Sequence, residues 1–204
     1  MTKQTETDMA NTKSRFWNAL QLIMIVIVFS VPVVGAFFYQ PQKFGNYGDI
    51  YVPVRPVQNL ELRSPQGDIE LDSLRRQWIF LVVADQVCDE HCERNLLKIR
   101  QLRFMQNHDM LRIRTLFLYS DLPTPIAADL LAKYRPMEGY RVAAQALEQW
   151  RKTLWIDDAP AEANENRIYI IDPAGNLMMS YPALADPNLI KKDIKRLLKT
   201  SQIG

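Results

Sequence analysis

A stretch of twenty residues without a single charge, Ala19–Phe38, constrains this chain more than any other feature. Twenty residues in a helix reach about 30 Å, which is the thickness of the hydrocarbon core of a bilayer. Trp17 precedes the stretch and Tyr39 follows it, and aromatic rings favour both membrane interfaces. Pro32 lies inside the stretch and is tolerated better in membrane helices than in soluble ones. The pattern therefore predicts one transmembrane helix over residues 17–39.

The charges that flank this segment predict its orientation. Lys13 and Arg15 lie immediately before it, whereas Lys43 is the only basic residue close behind it. Because the more basic flank of a membrane helix stays in the cytoplasm, we expect residues 1–16 to form a cytoplasmic tail. The rest of the chain, residues 40–204, is then exported.

A cleaved signal peptide is the alternative interpretation of the same segment. The residues Val34, Gly35 and Ala36 could serve as a weak cleavage site. The apolar core is long for a signal peptide, which favours an uncleaved anchor. Glu6 and Asp8 argue against a mitochondrial transit peptide, since such peptides are poor in acidic residues. We therefore expect a single-pass protein of the bacterial inner membrane whose C-terminal domain lies in the periplasm.

The exported part of the chain is predicted to contain a tether and one α/β domain. Residues 40–56 are rich in proline and glycine and are interpreted as the tether; residues 57–204 form the domain. Alternating and continuous apolar patterns predict an N-terminal hairpin, a buried strand at 78–84, and then strands that alternate with amphipathic helices. The 25 basic and 23 acidic residues of the whole chain leave a net charge of +2, which gives no indication of nucleic-acid binding.

The segment QVCDEHCERN, residues 86–95, holds the only two cysteines of the chain, Cys88 and Cys92. An oxidising compartment permits a disulfide, so the two either pair with each other or remain thiols. A disulfide that closes such a short loop restricts the unfolded chain less than a long-range one does. The spacing therefore favours a chemical role, either as a metal site or as a redox pair.

The residues around the cysteines suit a soft metal cation. Copper(I) favours thiolates and accepts imidazole, and two cysteines four residues apart at the start of a helix lie one turn apart on the same side. His91 adjoins Cys92 and is a candidate third ligand. Four carboxylates near the pair would attract cations and oppose the ionisation of a thiol: Asp85, Asp89, Glu90 and Glu93. Arg94 and the helix N-terminus act in the opposite direction, so the net effect on the thiols stays open.

Four features together resemble the Sco (SenC) family, the copper chaperones of respiratory oxidase assembly. They are the single anchor, the QGDIELDSLRRQWIFLVVA segment, the Cys-x-x-x-Cys spacing, and RIYIIDPAGN followed by an amphipathic helix. The resemblance covers roughly residues 57–200. It implies a thioredoxin-like α/β fold preceded by the transmembrane helix, with Cys88 and Cys92 as copper ligands or redox pair. The family's late histidine aligns near Asn164, and no histidine follows His108 here, which is why His91 is the candidate replacement.

Three functions remain open at this point. The resemblance implies an accessory protein for cytochrome oxidase assembly that binds or delivers copper, or keeps thiols reduced. Such a protein is a metallochaperone or assembly factor more than an enzyme, with an oxidase subunit or another copper or thiol assembly factor as its partner. A second function is a membrane-tethered thiol–disulfide oxidoreductase with Cys88 and Cys92 as its catalytic pair. A third is a thioredoxin-like interaction module without chemistry.

Overall fold

The computed structural model describes residues 17, 20–35, 45–157 and 159–201. They belong to two compact units, Met1–Gly45 and Asn46–Gly204. In the first unit, residues 20–35 are helical and their side chains are exposed. Within the described residues, no helix is long and apolar enough to cross a membrane. Part of the segment predicted to span the membrane, including Tyr39, lies outside the described residues, as do the cytoplasmic tail and residues 40–44 of the predicted tether.

The second unit is built on a mixed sheet of six strands in the order β1-β8-β7-β4-β5-β6. Strand β4 lies at its centre, parallel to β5 and antiparallel to β7. A separate antiparallel hairpin of β2 and β3 accompanies the sheet. The strands are β1 Asp49–Pro56, β2 Glu61–Leu62, β3 Ile69–Glu70, β4 Trp78–Ala84, β5 Ile113–Tyr119, β6 Glu138–Arg141, β7 Ile168–Ile171 and β8 Asn176–Tyr181.

In the described part of the second unit, five α-helices connect or follow these strands. They are α1 Glu90–Phe104, α2 Thr124–Lys133, α3 Ala144–Leu154, the short α4 Ala161–Asn164 and α5 Pro187–Thr200. Two 3-10 helices span Leu71–Leu74 and Asn107–Arg112. Helix α5 is capped by Asp186, which accepts a hydrogen bond from the backbone of Asn188, and Pro187 is its first helical residue, where its missing N–H costs nothing.

The core forms two layers, one on each face of the sheet. Successive side chains of a strand point to opposite faces, so the seven apolar residues of β4 serve both layers. Phe80 and Val82 pack in the layer that holds the buried faces of α1 and α5. Ile79 and Leu81 pack in the other layer, with α3 and the hairpin. The uninterrupted WIFLVVA stretch is therefore explained by a central strand covered on both faces.

The structure confirms most of the predicted elements and corrects three. The tether prediction is wrong for residues 49–56, because they form β1 and pair with β8; the compact unit accordingly begins at Asn46 and not at residue 57. The returning strand of the predicted hairpin, β3, ends at Glu70, and a 3-10 helix follows over Leu71–Leu74. The short strand β6 lies between α2 and α3 and was not predicted.

Candidate functional site

The two cysteines form a disulfide, with Cys88 in the loop after β4 and Cys92 in the first turn of α1. Asp89 is the N-cap of α1, and its Oδ1 accepts a hydrogen bond from the backbone N–H of Cys92 at 2.8 Å. A carboxylate that caps a helix in this way satisfies an otherwise unpaired donor. The cap places both cysteines at the point where the central strand passes into a helix. Of the two alternatives that the sequence left open, the structure holds the paired state.

The two sulfurs differ in exposure. Cys92 is 1% exposed and belongs to the core layer on the α1 face of the sheet. Cys88 is only partly buried and packs at the edge of that layer. An incoming thiolate therefore reaches the Cys88 sulfur, while Cys92 is shielded. This asymmetry is what a thiol–disulfide exchange pair requires, because one sulfur must meet the partner and the other must act within the protein.

His91 is not brought together with the cysteines into a three-ligand site. Its Nδ1 lies 3.2 Å from Nη2 of Arg94. A guanidinium only donates, so Nδ1 accepts this hydrogen bond. Among the residues the structure describes, no group of three or more His, Cys, Asp or Glu side chains is placed to hold a metal ion. The predicted role of His91 as third ligand thus requires its imidazole to leave Arg94.

The four acidic residues near the pair all have partners within the domain. Asp85 pairs with Arg151 at 2.7 Å and Glu90 with Arg94 at 3.8 Å, Asp89 caps α1, and Glu93 pairs with Lys133 at 2.6 Å. The attraction of this loop for a free cation is consequently weaker than the sequence alone indicates. Here the expected electrostatics are reduced by ion pairs that only the tertiary structure creates.

Glu93 lies directly after Cys92 and is held by two donors. Its Oε2 accepts from Lys133 Nζ at 2.6 Å and from the Tyr134 hydroxyl at 2.9 Å. These hydrogen bonds hold the pKa of Glu93 below its usual value, and the bond from Lys133 has the larger effect. Glu93 is therefore a fixed anion beside the disulfide at neutral pH. The anion joins the first turn of α1 to the end of α2.

The loop before β7 is hydrogen-bonded through Asn166 to the segment that holds the two cysteines, residues 85–92, called the cysteine loop below. The backbone carbonyl of Asn166 accepts from Asn95 Nδ2 at 2.5 Å, and its own side chain donates to Asp89 Oδ2 at 3.3 Å. Asn166 has a φ of 48°, a conformation that asparagine adopts more readily than most residues. Sequence analysis missed both asparagines. The one sequence signal for Asn95 was its position next to the apolar stripe of α1. In the structure Asn95 is 0% exposed.

Asn164 lies near the position where the resembled family carries its histidine, and its amide is fully engaged. Its Oδ1 accepts from Ile156 N at 2.8 Å, and its Nδ2 donates to the carbonyls of Ile156 and Ala159 at 3.1 and 3.4 Å. Asn164 is only 8% exposed. Asn164 therefore closes the loop between α3 and α4 and is committed to a structural role.

Arg167 directly precedes β7 and is buried, with 2% exposure. Its Nε donates to Ser180 Oγ at 3.0 Å and its Nη1 to the Ala163 carbonyl at 2.5 Å. Its Nη2 donates to Asp49 of β1. A buried guanidinium needs this number of acceptors, since an unpaired buried charge is very costly. Arg167 thus ties the loop before β7 to the edge strand.

Two depressions border the cysteine loop. The larger has a volume of about 1050 Å³ and is lined by the loop 85–89, by α3 and by the loop 164–167. The smaller has a volume of about 350 Å³ and is lined by Cys88 together with residues of α1 and by Tyr134. Partners thus have recessed surface on either side of the disulfide.

Solved structures with a similar fold include Sco proteins and thiol–disulfide proteins. The solution structure of apo Sco1 from Thermus thermophilus is 17% identical, with a TM-score of 0.57 over 78% of this chain and 98% of that one. Arabidopsis thaliana ScoI with copper bound is 12% identical, with a TM-score of 0.57 over 71% and 98%. The thioredoxin domain of a thiol-disulfide oxidoreductase from Bacteroides vulgatus is 9% identical, with a TM-score of 0.52 over 70% and 95%.

These similarities confirm the predicted thioredoxin-like fold and the resemblance to Sco proteins. No curated protein matches the sequence. A family model, described as the transmembrane-like, thioredoxin-like, C-terminal domain, matches residues 78–201. That range contains the cysteine loop and five of the six strands of the main sheet. Because the match covers more than half of the chain, the protein belongs to this transmembrane-like, thioredoxin-like family.

Proposed function

We propose that this chain is a membrane-anchored accessory protein for the assembly of a respiratory cytochrome oxidase, acting through Cys88 and Cys92. The observation that carries the proposal is the disulfide at the first turn of α1, with one sulfur accessible and the other in the core. The fold shared with Sco proteins, three of which have copper bound in their structures, supports copper and thiol handling. The partner is an oxidase subunit or another copper or thiol assembly factor.

Thiol maintenance follows directly from the geometry of the pair. In the reduced chain, the Cys88 thiolate attacks a disulfide of the partner and forms a mixed disulfide. The Cys92 thiolate then attacks the Cys88 sulfur, the partner leaves as a dithiol, and Cys88 and Cys92 close into the disulfide that the structure shows. Two electrons pass from this chain to the partner, so a dithiol donor protein must reduce the pair again.

Copper handling uses the same two sulfurs in their reduced state. Two thiolates one helical turn apart suit Cu(I), which is soft. The Cys88–Cys92 disulfide must open before either sulfur can bind the ion, so the oxidised pair does not bind copper. Copper is the cargo in this function, and a further ligand is either His91, once its imidazole leaves Arg94, or a donor of the receiving protein.

The anchor places this chemistry at a membrane surface. We propose that residues 17–39 span the bacterial inner membrane with the N-terminus in the cytoplasm, so that the domain lies in the periplasm. The uncharged stretch and the basic residues before it support this topology. An oxidising periplasm is also the compartment in which the Cys88–Cys92 disulfide is stable.

The test is an anaerobic Cu(I) titration of the reduced full chain in detergent against a competing chelator. We expect one Cu(I) per chain, lost in Cys88→Ser/Cys92→Ser. His91→Ala should weaken binding if the imidazole is recruited. His108→Ala is the matched control, since His108 is exposed in a 3-10 helix. Binding no tighter than that of the double serine variant would exclude the copper role.

A thiol–disulfide oxidoreductase is the second candidate, favoured by the closed pair and by the fold shared with thiol-disulfide interchange proteins. The Cys-x-x-x-Cys spacing and Arg167 before β7 differ from thioredoxin-type reductases, which favour Cys-x-x-Cys and a proline at that point. An oxidoreductase is expected to have a fairly oxidising potential and to exchange with a protein disulfide without copper. If the chain is an interaction module without chemistry, the Cys88→Ser/Cys92→Ser variant should still support oxidase assembly.

A further inference from the structure

The larger depression beside the cysteine loop contains a polar side chain that no residue of the domain satisfies. Tyr169, on β7, lines this depression and is only 6% exposed. Among the residues the structure describes, its hydroxyl has no hydrogen-bond partner, whereas the equally buried Tyr51 hydroxyl donates to the Leu154 carbonyl at 2.5 Å. Because Tyr169 lines the depression and a tyrosine hydroxyl can donate, this hydroxyl has a donor available for a bound group.

The hydroxyl of Tyr169 stays a neutral donor. Burial raises its pKa well above the usual tyrosine value, and the nearby Arg167 and Arg151 oppose this shift less strongly. Arg151 also lines the depression, and its Nε is buried without an acceptor in the described part of the domain. Arg151 Nε has no access to solvent, so Tyr169 is the donor that a ligand with carbonyl or carboxylate oxygens can reach.

The charge around the depression decides between these acceptors. The guanidinium of Arg151 is already paired with Asp85, and that of Arg167 with Asp49. Lys152 is the one further basic residue of the lining. Six carboxylates line it: Asp85, Asp89, Asp121, Glu148, Asp157 and Glu165. Asp85 is paired with Arg151 and Asp157 with Arg55, which leaves four carboxylates without an ion pair among the described residues against the one charge of Lys152. A carboxylate ligand would be repelled by this excess of negative charge, whereas a neutral backbone carbonyl would not.

The shape of the site suits an extended segment. A volume of about 1050 Å³ reaches the upper end of the range for small-molecule pockets. It extends from the loop directly before Cys88 to α3, and Trp155, which is 43% exposed, offers an apolar surface in the lining. A peptide chain supplies a carbonyl oxygen for the Tyr169 hydroxyl, and lysine or arginine side chains for the carboxylates.

We propose that this depression binds an extended, basic peptide segment of the partner protein, with a backbone carbonyl accepting from the Tyr169 hydroxyl. The segment would lie beside the Cys88–Cys92 disulfide and so hold a partner's thiol or copper site against it. The inference rests on the proposed function for the partner's identity alone. Peptide binding itself uses neither sulfur, so it is testable independently of copper and thiol chemistry.

The experiment measures fluorescence anisotropy of two labelled, end-capped peptides with the full chain in detergent. One is an alternating lysine–alanine octapeptide and the other its glutamate–alanine counterpart. We expect binding of the lysine peptide, weakened by salt, and no binding of the glutamate peptide. Tyr169→Phe removes only the unpartnered hydroxyl and should weaken binding about fivefold. Glu148→Gln/Glu165→Gln should weaken it by removing two of the six carboxylates.

Tyr119→Phe is the matched control, because Tyr119 is also 6% exposed but lies in the opposite core layer and not in this depression. Equal loss of binding in Tyr119→Phe and Tyr169→Phe would overturn the proposal, as would equal binding of the two peptides or binding of neither. Cys88→Ser/Cys92→Ser should bind the lysine peptide normally. That result separates a failure of the peptide site from a failure of the copper or thiol function.

Discussion

Replacing Asp89 should change both the stability of the domain and the acidity of the cysteines, and the two effects can be separated. The Asp89 carboxylate caps α1 by accepting from Cys92 N at 2.8 Å, and it accepts from Asn166 Nδ2 at 3.3 Å. It also places a negative charge at the N-terminus of a 15-residue helix. Asp89→Ala removes all three contributions, whereas Asp89→Ser keeps a capping oxygen and removes the charge.

The magnitude follows from these contacts. A lost N-cap costs about 1 kcal/mol, the lost interaction of the charge with the helix dipole about 0.5 kcal/mol, and the exposed bond to Asn166 about 0.5 kcal/mol. We therefore expect Asp89→Ala to lower the free energy of unfolding by about 2 kcal/mol, and Asp89→Ser by about 1 kcal/mol. Urea denaturation of the oxidised protein measures both values, with the disulfide intact in every variant.

The charge of Asp89 should also oppose the formation of a thiolate beside it. Both variants lack this charge, so both should lower the pKa of the Cys88 thiol relative to the unchanged protein. The ultraviolet absorbance of the thiolate, followed with pH in the reduced protein, measures this shift. If Asp89→Ser is as unstable as Asp89→Ala, the capping argument is refuted. If the thiol pKa stays unchanged or rises in both variants, the electrostatic argument is refuted.

Two further predictions concern buried and paired carboxylates. The pKa of Glu93 is lowered by Lys133 and Tyr134, so its contribution to stability is present at neutral pH and is lost as pH falls below the ordinary glutamate value of 4.5. Glu93→Gln should therefore flatten the acid side of the stability–pH curve measured by urea denaturation. An unchanged curve would contradict this. Asp193 is 1% exposed and its Oδ2 accepts from the backbone of Tyr47 and Gly48 at 2.7 and 3.1 Å and from the Tyr181 hydroxyl at 3.2 Å. Asp193→Ala should lower the free energy of unfolding by about 2–3 kcal/mol, and Asp193→Asn, which keeps an acceptor, by less; equal losses would show that the hydrogen bonds contribute little.

The elements that the sequence predicts correctly are those in which pattern and burial agree. The strand at 78–84 is apolar throughout because both of its faces are covered, and α5 carries its own start signal in Asp186 and Pro187. Strand β1 was missed because Pro53 and Pro56 indicate a loop. It lies at the edge of the sheet and pairs only with β8, and an edge strand tolerates proline. Its pairing is set by tertiary contacts that no local pattern contains.

The candidate site shows the same division. Its location and its two sulfurs follow from Cys88-x-x-x-Cys92 after a buried strand, which local sequence contains. The bonds from Asn166 to Asp89 and Asn95 join segments more than seventy residues apart, so the sequence gives no sign of them. The carboxylates illustrate the consequence, because their ion pairs reduce an attraction for cations that the sequence alone overstates.

The loop before β7 bears on where the proposed copper site could find a third ligand. The side-chain amide of Asn164 is hydrogen-bonded to Ile156 and Ala159. The guanidinium of Arg167 is hydrogen-bonded to Ser180 and Asp49. Asn166 donates to Asp89 and accepts from Asn95 of α1. The segment where the resembled family carries its histidine is therefore occupied by structural hydrogen bonds in this chain. In the proposed copper function, the candidate third donors are His91, which would give up Arg94, and a donor of the receiving protein. A site of two thiolates that a partner completes is better suited to handing Cu(I) on than to keeping it, because transfer then begins with a bond that the partner already makes.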